Sequence, residues 1–150
     1  MKFAEFYVGQ TIQAGPYRVS EDEIIRFAKD YDPQWFHTDK HAADNGPFKG
    51  LIASGWQSCA IAMRLTADVA LTGSESFASP GIKYVRWPQP VRPDDELILT
   101  LTVREVRRST KRPHLGILQW RWQLHNQDEE EVLDLEATSM FDLSPKESNP

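Results

Sequence analysis

The chain has a single cysteine, so no disulfide can form within it. Cys59 falls in an apolar segment and is expected to be a small buried hydrophobe, which suits a reducing cytoplasm. Basic runs are missing too. With 17 Lys and Arg against 22 Asp and Glu, the formal net charge is −5, and no cationic track is available to follow a phosphate backbone. No nucleic-acid partner is expected. No stretch reaches the roughly 18 unbroken apolar residues that a membrane-spanning helix needs, so no membrane partner is expected either. The opening MKFAEFYVGQ lacks the continuous apolar core of a signal peptide, and no targeting is indicated. A length of 150 residues suits one domain over 1–150 with a sizeable core, 144–150 being a polar tail.

What the chain does contain is a helical first half and an alternating second half. Residues 3–12 read as an opening segment with a short strand, turning at Gly15-Pro16, and Tyr17-Arg18-Val19 as a second short strand. Ser20-Glu21-Asp22-Glu23 has the form of a capping box, which predicts a helix over 21–30 with Ile24, Ile25, Phe27 and Ala28 on its apolar face. A helical turn capped by Thr38 or Asp39 runs through Ala42 and Ala43 and stops at Asn45-Gly46-Pro47. A long helix over 55–71 is apolar on nearly every side, so it belongs in a core, with Arg64 and Asp68 paired one turn apart. After breakers at Thr72-Gly73-Ser74 and Ser79-Pro80-Gly81, residues 82–87 are extended. Prolines 88, 90 and 93 then stiffen a connection. Residues 96–107, 115–125 and 131–143 alternate apolar with polar, the pattern of an antiparallel sheet with one face on a core. Trp120 and Trp122 are core aromatics of that sheet. One long buried helix followed by antiparallel strands is an α+β arrangement in which the sheet wraps the helix.

The chemistry concentrates between Asp30 and Trp56, in DYDPQWFHTDKHAADNGPFKGLIASGW. Asp32 precedes Pro33, whose ring disfavours the helical region for the residue before it, so Asp32 is expected in a loop. His37 follows five residues later. A carboxylate and an imidazole that meet across a short loop can orient and exchange a proton near neutral pH. Ser54-Gly55 opens the long helix, with Ser54 a favoured cap. The free N–H groups and positive dipole end there suit a carbonyl oxygen that gains charge. His37, Asp39 and His41 are closely spaced, but without a clear helix or a third strong ligand no metal is expected.

Asp30-Tyr31-Asp32-Pro33, His37, Asp39, Ala42-Ala43 and the run from Phe48 to Trp56 together resemble the MaoC-like dehydratase family. That family includes the (R)-specific enoyl-CoA hydratases, whose motif is Asp-x-Asn-Pro-x-His followed by a small residue. Trp87-Pro88-Gln89-Pro90-Val91-Arg92-Pro93-Asp94-Asp95 is similar to the family's proline-rich strand connection, so the resemblance spans most of the chain. Two departures stand out. Gln34, Trp35 and Phe36 separate Pro33 from His37 where the family has one residue, and Ser54 stands where many members have histidine. Aligned from the left, Asp30 takes the place of the catalytic aspartate. Aligned from the right, Asp32 has the family's spacing to His37. The pre-proline restriction favours Asp32.

The resemblance implies a hot-dog fold, an edge-to-edge homodimer or higher homo-oligomer, and an active site at the subunit interface. It also implies hydration or dehydration of an enoyl thioester, with an acyl-CoA as substrate, a place in fatty acid metabolism, and no metal or redox cofactor. Asp32, His37 and Asp30 are then the catalytic candidates. Ser54, Gly55, Trp56, Trp35, Phe36 and Phe48 are the substrate-binding ones, the aromatics lining an acyl tunnel. A hot-dog acyl-CoA thioesterase and a non-catalytic acyl-thioester-binding subunit are the alternatives.

Overall fold

The structure is a computed structural model that describes residues 1–146. The expected polar tail over 144–150 therefore lies partly outside the described residues. Among the described residues five strands form one antiparallel sheet: β1 (Thr11–Arg18), β2 (Ser76–Arg86), β3 (Glu96–Arg108), β4 (Leu115–His125) and β5 (Glu131–Asp142). Their order across the sheet is β1-β3-β4-β5-β2, which leaves β1 and β2 at the edges. Along β4 each second residue is buried, Leu118, Trp120, Trp122 and Leu124 turning inward as the alternation requires. The buried Trp120 satisfies its indole N–H on Ser139 Oγ at 3.2 Å.

Four α-helices precede β2, after a 3-10 turn at Phe3–Glu5: α1 (Glu21–Tyr31), α2 (Trp35–Thr38), α3 (Lys40–Asp44) and α4 (Gly55–Thr66), the last running on as a wider π turn over Ala67–Leu71. α4 packs on β1, β3, β4 and β5, and its Ile61 and Ala62 belong to one buried core with Leu97, Leu99, Leu101 and Leu135. The architecture is the expected α+β arrangement with the sheet around the central helix. Among the described residues no helix is long and apolar enough to cross a membrane.

Several local expectations are corrected. Ser20 caps α1 by accepting from the Glu23 N–H at 3.1 Å, but the Glu23 carboxylate takes the Tyr17 hydroxyl and does not close the capping box. Gly15-Pro16 does not turn the chain, because β1 runs through it as a bulge between Ala14 and Tyr17. An edge strand tolerates the missing Pro16 N–H there. β2 likewise runs through Ser79-Pro80-Gly81, with register shifts in place of a break. α4 is less enclosed than its composition suggests: Trp56 and Met63 are exposed while Gln57, Ser58 and Thr66 are buried. Cys59 is only half-buried.

Candidate active site

The site is built where α1 ends. Asp32 is the C-cap of α1, its N–H bonded to Ala28 O at 2.8 Å, and the pre-proline restriction takes its backbone out of the helical region. Pro33 then leads into α2, a single turn that the sequence does not announce, and this turn carries His37. Asp39 caps α3 by accepting from the Ala42 N–H at 3.0 Å. The chain returns through Leu51 to Ser54, all four buried. It is tied to α2 by the Ile52 N–H on Phe36 O at 3.2 Å and to the proline-rich connection by the Ala53 N–H on Val91 O at 2.8 Å. Two backbone anchors therefore fix the start of α4 against both neighbours.

Asp32 and His37 meet at 3.1 Å, Oδ2 to Nε2, with side chains 17% and 5% exposed. The other imidazole nitrogen, Nδ1, lies 2.7 Å from Ile52 O. A carbonyl oxygen only accepts, so Nδ1 carries a hydrogen and donates it, which leaves Nε2 as the nitrogen that works against Asp32. Asp32 receives two further donors: Ser54 Oγ at 2.7 Å on Oδ2 and Gln34 Nε2 at 2.6 Å on Oδ1. Burial by itself raises this carboxyl. The hydrogen bonds from Gln34 and Ser54, with the neighbouring His37, outweigh it and hold the group below the usual carboxylate range.

Ser54 caps α4 with Oγ 3.3 Å from the Trp56 N–H, while the Gln57 and Ser58 N–H groups bond to Ser54 O. Among the described residues the Gly55 N–H meets no acceptor. That donor sits at the positive end of a twelve-residue helix, beside a cavity of about 310 Å³ walled by Phe36, His37, Phe48, Gly55, Trp87 and Val91. The His37 imidazole and an open backbone donor thus share one chamber.

The structure separates the two aspartates. Asp30 is exposed on α1 and borders a different hollow with Tyr17, Glu23 and Phe27. Ser54 touches the carboxylate of Asp32, a role its capping position did not reveal. Phe36 and Phe48 stand in the cavity wall as expected, whereas Trp35 packs on Gly46 and Trp56 lies edge-on to Trp87 at 5.4 Å, both outside that wall. Gln34 and Trp87 belong to the site and were not singled out in the sequence. Gln34 stands two residues after Asp32, a spacing at which a side-chain amide can reach back, and Trp87 opens the proline-rich connection. His41 is exposed, and among the described residues no group of three His, Cys, Asp or Glu side chains is placed to hold a metal.

Comparison with known proteins identifies the family. The family model described as MaoC like domain matches residues 4–118. The uncharacterised protein YdeM of Bacillus subtilis is 38% identical over 141 residues, which is 94% of this chain and 99% of that protein. The 3-hydroxyacyl-thioester dehydratase Z of Mycobacterium tuberculosis is 33% identical over 75 residues, 49% of this chain and 50% of its own. The crystal structure of a MaoC-like dehydratase from Rhodospirillum rubrum superposes with a TM-score of 0.87 at 34% identity, covering 95% of this chain and 97% of that one.

Proposed function

The chain belongs to the MaoC-like domain family, and on that premise we propose that it adds water to, or removes it from, an enoyl thioester, an acyl-CoA being the substrate class. One observation carries the reading: His37, 3.1 Å from Asp32, lines the same cavity as Gly55, whose N–H meets no acceptor among the described residues. Dehydration of a 3-hydroxyacyl thioester, the reaction in the name of the mycobacterial relative, is the reverse of hydrating a 2-enoyl thioester, so the same groups serve both directions.

In the hydration direction, Asp32 and His37 hold a water and remove its proton as the oxygen bonds to C3. The C2–C3 π electrons move toward the carbonyl, whose oxygen becomes enolate-like and accepts from the Gly55 N–H. The pair then returns a proton to C2. Acid/base action of this kind contributes about 10² to 10⁴ in rate, and one oxyanion donor about 10² to 10³. Asp32, kept ionised by its donors, suits the base. No step calls for a metal or redox group. The exposed Phe77 and Ile82 on edge strand β2, and Trp56 and Met63 on α4, favour a homodimer that covers them.

The test is the ultraviolet absorbance of crotonyl-CoA and a longer trans-2-enoyl-CoA, followed together with free thiol. Loss of enoyl absorbance without thiol release is the expected result. Thiol release in its place identifies a thioesterase and overturns the reading.

A further inference from the structure

Trp87 is a wall of the cavity to which the proposed chemistry gives no role. A Cβ placed on Gly55 would lie 2.4, 2.5 and 2.8 Å from Trp87 Cε2, Cδ2 and Cζ2, so the face of the indole rests on the Gly55 backbone. Gly55 has no left-handed φ, and the absence of a side chain there answers to the indole, not to a turn. On a further side Trp56 stands edge-on to the ring at 5.4 Å and 76°. Behind it, Pro88 and Pro90 stiffen the backbone that carries it. Trp87 is nonetheless 43% exposed, so part of the ring remains open beside the cavity it helps to line.

The consequence lies in where a substrate carbon must go. A carbonyl oxygen that accepts from the Gly55 N–H lies about 3 Å from that nitrogen, and the carbonyl carbon's neighbour, C2, follows one bond further on. The indole occupies the space next to the same glycine. We propose that Trp87 is a specificity-determining residue: the part of its ring left open beside the cavity receives the flat, conjugated enoyl thioester and excludes a substituent on C2. This inference rests on the hydration reading and names the substrate class of that site, unbranched at C2.

The experiment compares crotonyl-CoA with 2-methylcrotonyl-CoA, in hydration by absorbance and in binding by calorimetry, for the parent, Trp87→Phe and Trp87→Ala. One methyl group in a fitted pocket is worth roughly 10- to 200-fold. The parent is expected to favour crotonyl-CoA at least about tenfold in kcat/KM and in affinity. Trp87→Ala should narrow that ratio by about fivefold or more, gaining on the branched thioester, while Trp87→Phe, which keeps a flat ring, retains most of it. Equal losses on both thioesters, or a parent that binds both alike, overturn the inference and leave Trp87 as packing. Thermal unfolding of each variant checks folding, and Trp87→Leu, which removes the aromatic ring at intermediate volume and should narrow the ratio likewise, takes the place of Trp87→Ala if that variant does not fold. A parent that binds the thioesters but hydrates neither contradicts the hydratase reading alone, because the binding ratio still tests Trp87.

Discussion

Two donors and the imidazole of His37 meet the two oxygens of Asp32, and its behaviour follows from them. Oδ2 receives Ser54 and faces His37 Nε2, Oδ1 receives Gln34, and together they hold the carboxyl below its usual range against the effect of burial. A carboxylate depressed in the folded state adds stability that is fully present above the unfolded value of about 3.9 and lost as pH falls through the folded value. Ser54→Ala removes one donor and the N-cap of α4 at once. The expected outcome is a loss of about 1 kcal/mol in denaturant unfolding, with the acid limb of the activity profile moved to higher pH. An unmoved acid limb would mean that Ser54 does not tune Asp32. The five-residue interval from Asp32 to His37 was legible in the sequence because a proline restricts the residue before it, and that favoured the right aspartate for the contact. The donors Gln34 and Ser54 and the cavity wall Trp87 were not legible, since they reach their places through side-chain rotamers and contacts between distant segments.

Elements with a strong period were read correctly. β3, β4 and β5 each match the alternating segment that announces them, because one face of every strand is buried in the same core. Errors fell where proline and glycine occur inside edge strands: Gly15-Pro16 in β1 and Ser79-Pro80-Gly81 in β2 mark irregular pairing, not chain reversal. α2 was missed because one turn is too short to carry a helical period. Gly15 makes the edge-strand case testable. Its φ is +108°, and a Cβ there would sit 2.7 Å from Leu97 O on β3. Gly15→Ala is expected to cost about 2 kcal/mol, seen as a lower midpoint in thermal or denaturant unfolding. An unchanged midpoint would show that the bulge adapts at no cost.

For the whole molecule, the sheet closes one side of the core and leaves apolar groups outside it. Phe77 and Ile82 are 58% and 51% exposed on edge strand β2, and Trp56 on α4 is 60% exposed. A homodimer would cover them. Sedimentation at micromolar concentration should give twice the mass of the 17.2 kDa chain, and Ile82→Lys should shift it toward monomer with loss of activity. A parent that sediments as a monomer contradicts the dimer. The claim that Asp32 and His37 do the chemistry is tested most directly by the rate of enoyl absorbance loss with crotonyl-CoA for the parent, Asp32→Asn, His37→Ala and Asp30→Asn. The expected result is an active parent, a fall of about 10² to 10⁴ in the Asp32 and His37 variants, and near-parent activity in Asp30→Asn. Full activity in Asp32→Asn, or an inactive Asp30→Asn that remains folded, would contradict it.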